Sequence, residues 1–331
     1  MKLGDVPKIP LAFAPTPVER LMRLGADLGI ELFVKRDDYT GFGGGGNKVR
    51  KLEYLMADAV ARGVKVLITT GGHQSNHARM TAAAARHFGM HPVLVLRGNE
   101  PSGFQGNLLL DRLFGAEIEF LDPEAYFDLI GPRMQAHADR ARERGQEPYI
   151  MPVGGATPLG ALGYASAVRE LAEQFAALAL PAPDVIVTAV GSGGTLAGIE
   201  IGLTQYWPGT KAIGIAVSGS AVPFPDRIAP MATEGARLVG LDRVWRPEEI
   251  HVETGYFGEA YAVPSEAGNA AIKRLAMQEG LLLDPVYTGK GMAGLLGLVE
   301  DGTIPKGARV LFLHTGGSPA LYPHAEQLAK L

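Results

Sequence analysis

The chain of 331 residues contains no cysteine, which excludes disulfides and a thiol nucleophile. It also holds no apolar run approaching the roughly 18 residues of a membrane span. Met1-Lys2-Leu3-Gly4-Asp5-Val6-Pro7 is charged and broken by proline where an export signal would carry an apolar stretch, so the cytoplasm is the expected location. Charge of one sign is scarce: 31 Lys and Arg stand against 35 Asp and Glu, a formal net of −4, and nothing in that balance points to nucleic acid or an anionic membrane. Low-complexity segments and short-period repeats are missing too. With 47% hydrophobic residues the chain can bury a large core, and its length suits two domains or one large α/β unit.

Glycine, by contrast, is concentrated in loops. Gly43-Gly44-Gly45-Gly46 leads into Asn47-Lys48-Val49-Arg50-Lys51-Leu52-Glu53, the start of an expected amphipathic helix. Glycine has no Cβ, so this loop lets main chain approach a flat ligand beside Lys48, as a Schiff-base lysine requires. A Walker phosphate loop does not fit: counting from Gly41 to Gly46 puts Asn47 where the lysine belongs, and Lys48 precedes a valine. A solvated surface lysine is the plain alternative for an isolated case.

Two more loops share this character. Val66-Leu67-Ile68-Thr69 runs into Thr70-Gly71-Gly72-His73-Gln74-Ser75-Asn76-His77 and then an alanine-rich helix, placing Ser75 and Asn76 where helix-start amides favour an anion. Val185-Ile186-Val187-Thr188-Ala189-Val190 runs into Gly191-Ser192-Gly193-Gly194-Thr195 and a further helix. The latter is not a dinucleotide fingerprint, since Leu196 stands where the third glycine belongs. It still has the physics of a phosphate cup, with Ser192 and Thr195 adding hydroxyls to converging amides. Any one such loop alone is as well explained as a tight turn.

Strand and helix patterns alternate throughout. Helices are expected over 17–28, 48–62, 76–88, 106–114, 160–177, 196–206, 266–278 and 292–299. Strands are expected over 32–35, 66–69, 92–96, 117–121, 185–190, 212–217 and 309–314. The alternation implies mostly parallel sheets covered by helices on both faces. Pro152-Val153-Gly154-Gly155-Ala156-Thr157-Pro158 is a cluster of breakers compatible with a domain crossing, and ligand is expected at strand carboxyl ends in the crevice between domains.

Six motifs occur in order: Lys35-Arg36-Asp37-Asp38; Gly46-Asn47-Lys48-Val49-Arg50-Lys51-Leu52-Glu53; Gln74-Ser75-Asn76-His77; Gly191-Ser192-Gly193-Gly194-Thr195; Asp284-Pro285-Val286-Tyr287-Thr288-Gly289-Lys290; and His314-Thr315-Gly316-Gly317. From about Pro15 to Leu321 the chain resembles the D-cysteine desulfhydrase and 1-aminocyclopropane-1-carboxylate (ACC) deaminase family. That family belongs to the tryptophan-synthase-β-like, fold-type II, pyridoxal-phosphate (PLP) enzymes. The resemblance implies a homodimer with two domains per chain, each a mostly parallel twisted sheet with helices on both faces. A large PLP-binding domain would comprise 1–47 and 163–331, and a small domain, 48–162, would carry the Schiff-base lysine.

Residue by residue, the resemblance implies that Lys48 binds the coenzyme and then, released, takes the substrate Cα proton, a double role open to a lysine whose pKa is lowered by desolvation. Asn76 would bond the coenzyme's 3′-oxygen. Lys51 would reach the phosphate held by Gly191, Ser192, Gly193, Gly194 and Thr195, although for Lys51 and Arg50 solvated helix faces are the competing interpretation. Ser75 would hold the substrate carboxylate or relay a proton, besides serving as a helix cap. Tyr287 and Tyr261 would orient or protonate a leaving group, though a lone tyrosine is more often packing with a satisfied hydroxyl. Asn47 is expected to fix the turn.

Substrate choice turns on two threonines. ACC deaminases carry a glutamate after the tyrosine matching Tyr287, paired with a protonated pyridine nitrogen, and a leucine before the final glycine pair; this chain has Thr288 and Thr315. A hydroxyl leaves the pyridine neutral and the electron sink softer, which suits simple β-elimination on a small amino acid. The pattern is desulfhydrase-like: a carbon–sulfur lyase converting D-cysteine to pyruvate, hydrogen sulfide and ammonia. ACC, L-cysteate, β-chloro-D-alanine and D-serine stay open as substrates, because His73, and Phe42 with an extra glycine, depart from the family pattern. A non-catalytic phosphate-binding α/β protein is the remote alternative. No metal is expected, since His73 and His77, four apart, lack the glutamate of H-E-x-x-H.

Overall fold

A computed structural model describes residues 2–330. From the amino end the chain forms β1 (Val18–Arg20), α1 (Met22–Leu28), β2 (Glu31–Lys35) and α2 (Lys48–Ala61). There follow β3 (Val66–Gly72), α3 (Asn76–His87), β4 (His91–Arg97), α4 (Asn107–Leu113), β5 (Glu117–Leu121), α5 (Tyr126–Glu143) and β6 (Pro148–Ile150). Next come α6 (Pro158–Ala177), β7 (Val185–Val190), α7 (Gly194–Tyr206), β8 (Lys211–Ala216), α8 (Phe224–Leu238) and β9 (His251–Glu253). The chain closes with α9 (Glu266–Glu279), α10 (Thr288–Glu300), β10 (Arg309–Leu313) and α11 (Ala325–Leu328).

Two sheets result. Six strands in the order β1-β2-β10-β7-β8-β9 form one, parallel apart from β1, and draw on both ends of the chain. The other has four parallel strands in the order β5-β4-β3-β6. Strand residues alternate between faces, so a fully buried parallel sheet needs apolar side chains on both. Phe33, Ile186 and Leu311 accordingly join a core with Leu162 of α6, Ile199 of α7 and Ile228 of α8, whereas Leu32, Val34, Val187 and Phe312 join a second core with Leu24 of α1, Leu275 of α9 and Leu295 of α10. In the smaller sheet Leu67 packs with Leu52 and Leu55 of α2, while its neighbours Val66 and Ile68 pack with Ala138 and Ala141 of α5.

Local signals set the helix starts near the site. Thr157 accepts the N–H of Gly160 at 2.9 Å with Pro158 in the first turn, and Ser75 accepts that of Ala78 at 3.1 Å. Where α6 crosses α2, a Cβ on Gly163 would stand 2.3 Å from the Arg50 carbonyl oxygen, so only glycine lets those helices approach so closely.

The expected helix over 17–28 is corrected at its start. Residues Val18–Arg20 instead pair antiparallel with β2, and the Thr16 hydroxyl donates to Asp37 at 2.8 Å rather than capping a helix. α5, α8, β6 and β9 were not anticipated; both helices contain an internal proline, Pro132 and Pro230, and both strands have three residues. Among the described residues no helix is long and apolar enough to cross a membrane.

Candidate active site

A cavity of about 810 Å³ opens at the carboxyl ends of β3, β4 and β7, bringing together residues of both sheets. Ten of the residues singled out from sequence line it: Lys48, Ser75, Asn76, Gly191, Ser192, Gly193, Thr195, Tyr261, Tyr287 and Thr315. Lys51, Gly194 and Thr288 are not in the lining.

Lys48 is the first residue of α2. Among the described residues its amine has no hydrogen-bond or ion-pair partner, and burial lowers its pKa to about 8. Asn47 does not cap the helix; its side-chain amide donates to the Thr195 hydroxyl at 3.1 Å and its main-chain N–H to the Thr315 carbonyl at 3.0 Å. The turn bearing Lys48 is thereby fastened to the glycine loop and to the segment after β10.

Lys51 lies one turn on and is completely buried, which removes the solvated-face interpretation. Its ammonium donates to the Gly154 carbonyl at 3.2 Å and lies 2.9 Å from where a Cβ on Gly194 would stand. Burial, then the charge of Lys48, pushes its pKa well below the ordinary lysine value. Arg50 is likewise buried, bonded to Asp37 and Glu170.

At the glycine loop, Gly193 holds φ +90° and no side chain caps α7, leaving first-turn amides open at the cavity. Ser75 acts as the cap of α3 and lines the cavity as well. The Asn76 carbonyl oxygen accepts from Asn107 at 2.8 Å and Arg79 at 3.4 Å, which leaves its amide nitrogen as the group offered inward.

Tyr261 and Tyr287 share a hydroxyl–hydroxyl hydrogen bond of 2.5 Å. Burial pushes Tyr261 up to about 12 and, together with the neighbouring phenol, holds Tyr287 well above the ordinary value, so both are neutral near pH 7. One phenol donates to the other, and the acceptor's own proton is left to give. Thr288, in contrast, turns away: its hydroxyl donates to Asp284 at 2.7 Å and accepts the Asp284 N–H at 2.8 Å.

Sequence reasoning missed Arg97, Tyr126, Phe127, Arg227 and the 218–222 loop in the lining. None lies in a recognisable motif; the placement of Arg97 at a strand end beside the Gly71-Gly72 turn was the one available signal. His77, in the first turn of α3, lines the cavity with its ring 3.0 Å from the Thr69 hydroxyl, and burial, with the charges of Lys48 and Lys51, keeps it neutral. His73 stands apart, edge-on to Phe120.

These residues fit pyridoxal phosphate. A fully buried lysine whose one bonded acceptor is a carbonyl holds its charge readily only beside an anion, and Lys51 has that setting, next to open helix-start amides and the Ser192 and Thr195 hydroxyls. An aldehyde needs a neutral amine nearby, and Lys48 is unpartnered with a lowered pKa in the same cavity.

Comparison with known proteins agrees. The family model described as "Pyridoxal-phosphate dependent enzyme" matches residues 9–316. The chain is 41% identical to a D-cysteine desulfhydrase of Salmonella choleraesuis, covering 97% of each, and 41% identical to a D-cysteine desulfhydrase of Serratia proteamaculans, covering 99% of this chain and 98% of that one. The crystal structure of an ACC deaminase homologue superposes with a TM-score of 0.89 at 37% identity, covering 99% of this chain and 97% of the other. With relatives matched over 97% or more of the chain and a cavity whose residues fit an aldehyde and an anion together, the chain belongs to the family of pyridoxal-phosphate-dependent enzymes.

Proposed function

We propose that the protein is a carbon–sulfur lyase that removes the thiol from D-cysteine by β-elimination, giving pyruvate, hydrogen sulfide and ammonia. The observation that carries this is Lys48, an unpartnered amine of lowered pKa in one cavity with a neutral tyrosine pair. The names of the two curated relatives support the substrate.

Bound pyridoxal phosphate supplies the electron sink that makes a Cα proton removable. Lys48 takes that proton. Ser75 and the open amides at the start of α3 receive the substrate carboxylate, and Asn76 orients the coenzyme ring. Ser192, Thr195, Gly191, Gly193 and Gly194 hold the phosphate, with Lys51 behind them as its counter-charge. As the Cβ–S bond breaks, the tyrosine pair gives the departing sulfur a proton, and water completes the conversion to pyruvate and ammonia. Of the two threonines, Thr315 lines the cavity whereas the Thr288 hydroxyl is occupied by Asp284, so Thr315 is the one we assign to the ring nitrogen. We further propose two domains, supported by the way the two sheets divide the chain. The smaller begins at Lys48 and ends ahead of α6, rather than at 162/163, because α6 runs unbroken over Pro158–Ala177 and packs Leu162 into the core of the larger sheet. We infer a cytoplasmic homodimer from the family resemblance. Sedimentation tests the last point.

Assays of the holoenzyme decide the substrate. Sulfide and pyruvate from D-cysteine, with little 2-oxobutyrate from ACC, are the expected results. Efficient 2-oxobutyrate formation would favour instead the deaminase activity for which the structural neighbour's family is named.

A further inference from the structure

Two arginines line the cavity. Arg227 donates to the Gly191 carbonyl at 3.3 Å and so belongs to the glycine-loop end. Arg97 belongs elsewhere. It is the last residue of β4 and pairs in register with Gly72, the last residue of β3. Paired residues of adjacent strands send their side chains to the same face. At Gly72 that direction leads to Tyr261: a Cβ there would lie 2.8 Å from Tyr261 Cε1. Arg97 therefore leaves the sheet on the face where the tyrosine pair stands.

Its surroundings are poor in counter-charge. The guanidinium lies over Phe127 at 5.3 Å and Tyr126 at 5.9 Å from the ring centroids. One N–H reaches the Pro123 carbonyl at 3.4 Å, and Nε is buried with no acceptor. Among the described residues Arg97 has no ion pair; Glu259, an exposed residue of the lining, does not bond to it. A guanidinium presents five donors in a fork that matches an oxyanion, and here most are unused.

We propose that Arg97 is a specificity-determining residue that recognises an anionic group on the substrate's Cβ, so that the site prefers β-substituted amino acids bearing an oxyanion there over neutral ones. This rests on the elimination activity proposed above, which assigns the substrate α-carboxylate to Ser75 and the Cβ substituent to the tyrosine side. D-cysteine is compatible, because its leaving group develops negative charge as the C–S bond breaks.

The test is binding rather than turnover. Alanine and aspartate differ by one carboxylate on Cβ, and neither carries sulfur to eliminate. Each enantiomer is titrated into holoenzyme, following coenzyme absorbance. Wild type is expected to bind aspartate at least about tenfold more tightly than alanine of the better-bound hand. Arg97→Gln should reduce that preference to less than about threefold with alanine affinity unchanged, and Arg97→Lys should retain part of it. No aspartate preference in wild type overturns the proposal, as does a preference that survives in Arg97→Gln. Equal loss of both amino acids in Arg97→Gln also overturns it, in favour of a purely structural role. Aspartate preference without sulfide release from D-cysteine would remove only the D-cysteine assignment; sulfide release without aspartate preference would remove only the role of Arg97.

Discussion

Lys48 and Lys51 are three residues apart on one helix, both desolvated, and the difference between them is partnership. Lys51 has a carbonyl and a glycine loop in front of it; Lys48 has nothing but the cavity. A lysine with its pKa lowered to about 8 is largely protonated at pH 7 and largely neutral at pH 9, and only the neutral amine attacks an aldehyde. Coenzyme uptake by the coenzyme-free protein should therefore accelerate by nearly tenfold per pH unit below 8 and level off above it. Borohydride trapping and mass spectrometry should place the adduct on Lys48, and an adduct on Lys51 or Lys35 would refute the division of labour. Lys48→Ala should lower turnover by more than about 10²-fold, the scale of a lost general base, while the protein stays folded.

At the scale of elements, the site is three strand-to-helix turns held in register by side-chain ties such as Asn47 to Thr195. Gly194→Ala would put a Cβ 2.9 Å from the Lys51 ammonium and 3.0 Å from the Ala156 Cα, crowding the cation that we assign to the phosphate. Coenzyme affinity should fall by about tenfold or more with a small change in melting temperature, whereas Gly193→Val, at φ +90° and 2.6 Å from Ile228, should cost stability as well. Equilibrium dialysis beside thermal melts separates the two, and unchanged coenzyme affinity in Gly194→Ala would move the phosphate elsewhere. These turns were legible because glycine after a β-branched run and before an apolar helix leaves few other structures. The start of the helix expected over 17–28 differs because Thr16-Pro17 has the residue types of a helix cap, whereas Asp37, distant in sequence, claims the hydroxyl. Proline inside α5 and α8 hid two helices, each of which packs one apolar face into a core: Ala138 and Ala141 of α5 beneath the smaller sheet, and Ile228, Ala232 and Ala236 of α8 in the core of the larger one. For Arg97 the one signal was its place at a strand end, and for Arg227 there was none, since an arginine's role there depends on which strand end and loop fold beside it.

Across the whole molecule, α2 is anchored by a buried ionic cluster. Arg50 bonds Asp37 at 2.8 Å and Glu170 at 2.9 Å; Lys35 bonds Glu170 at 2.5 Å; Tyr164 and Thr16 donate to Asp37 at 2.5 and 2.8 Å. The charges balance, and the cluster joins the end of β2, the helix bearing Lys48, and α6. Burial pushes the Asp37 and Glu170 carboxyls up, but their bonds and the Coulomb attraction to Arg50 and Lys35 outweigh it and hold both below the usual range. For carboxylates with depressed folded pKa values, the stabilisation is complete above the unfolded values, about 3.9 and 4.3, and drains away as pH falls through the folded ones. Glu170→Gln leaves two buried cations short of a partner and should cost about 3–5 kcal/mol near pH 7. Because its carboxylate no longer titrates, the variant should also lose less stability between pH 5 and pH 3 than wild type does. Urea midpoints across that range measure both effects. A variant as stable as wild type, or one with the same acid slope, would show that the cluster is not what holds α2, and with it Lys48, against the large sheet.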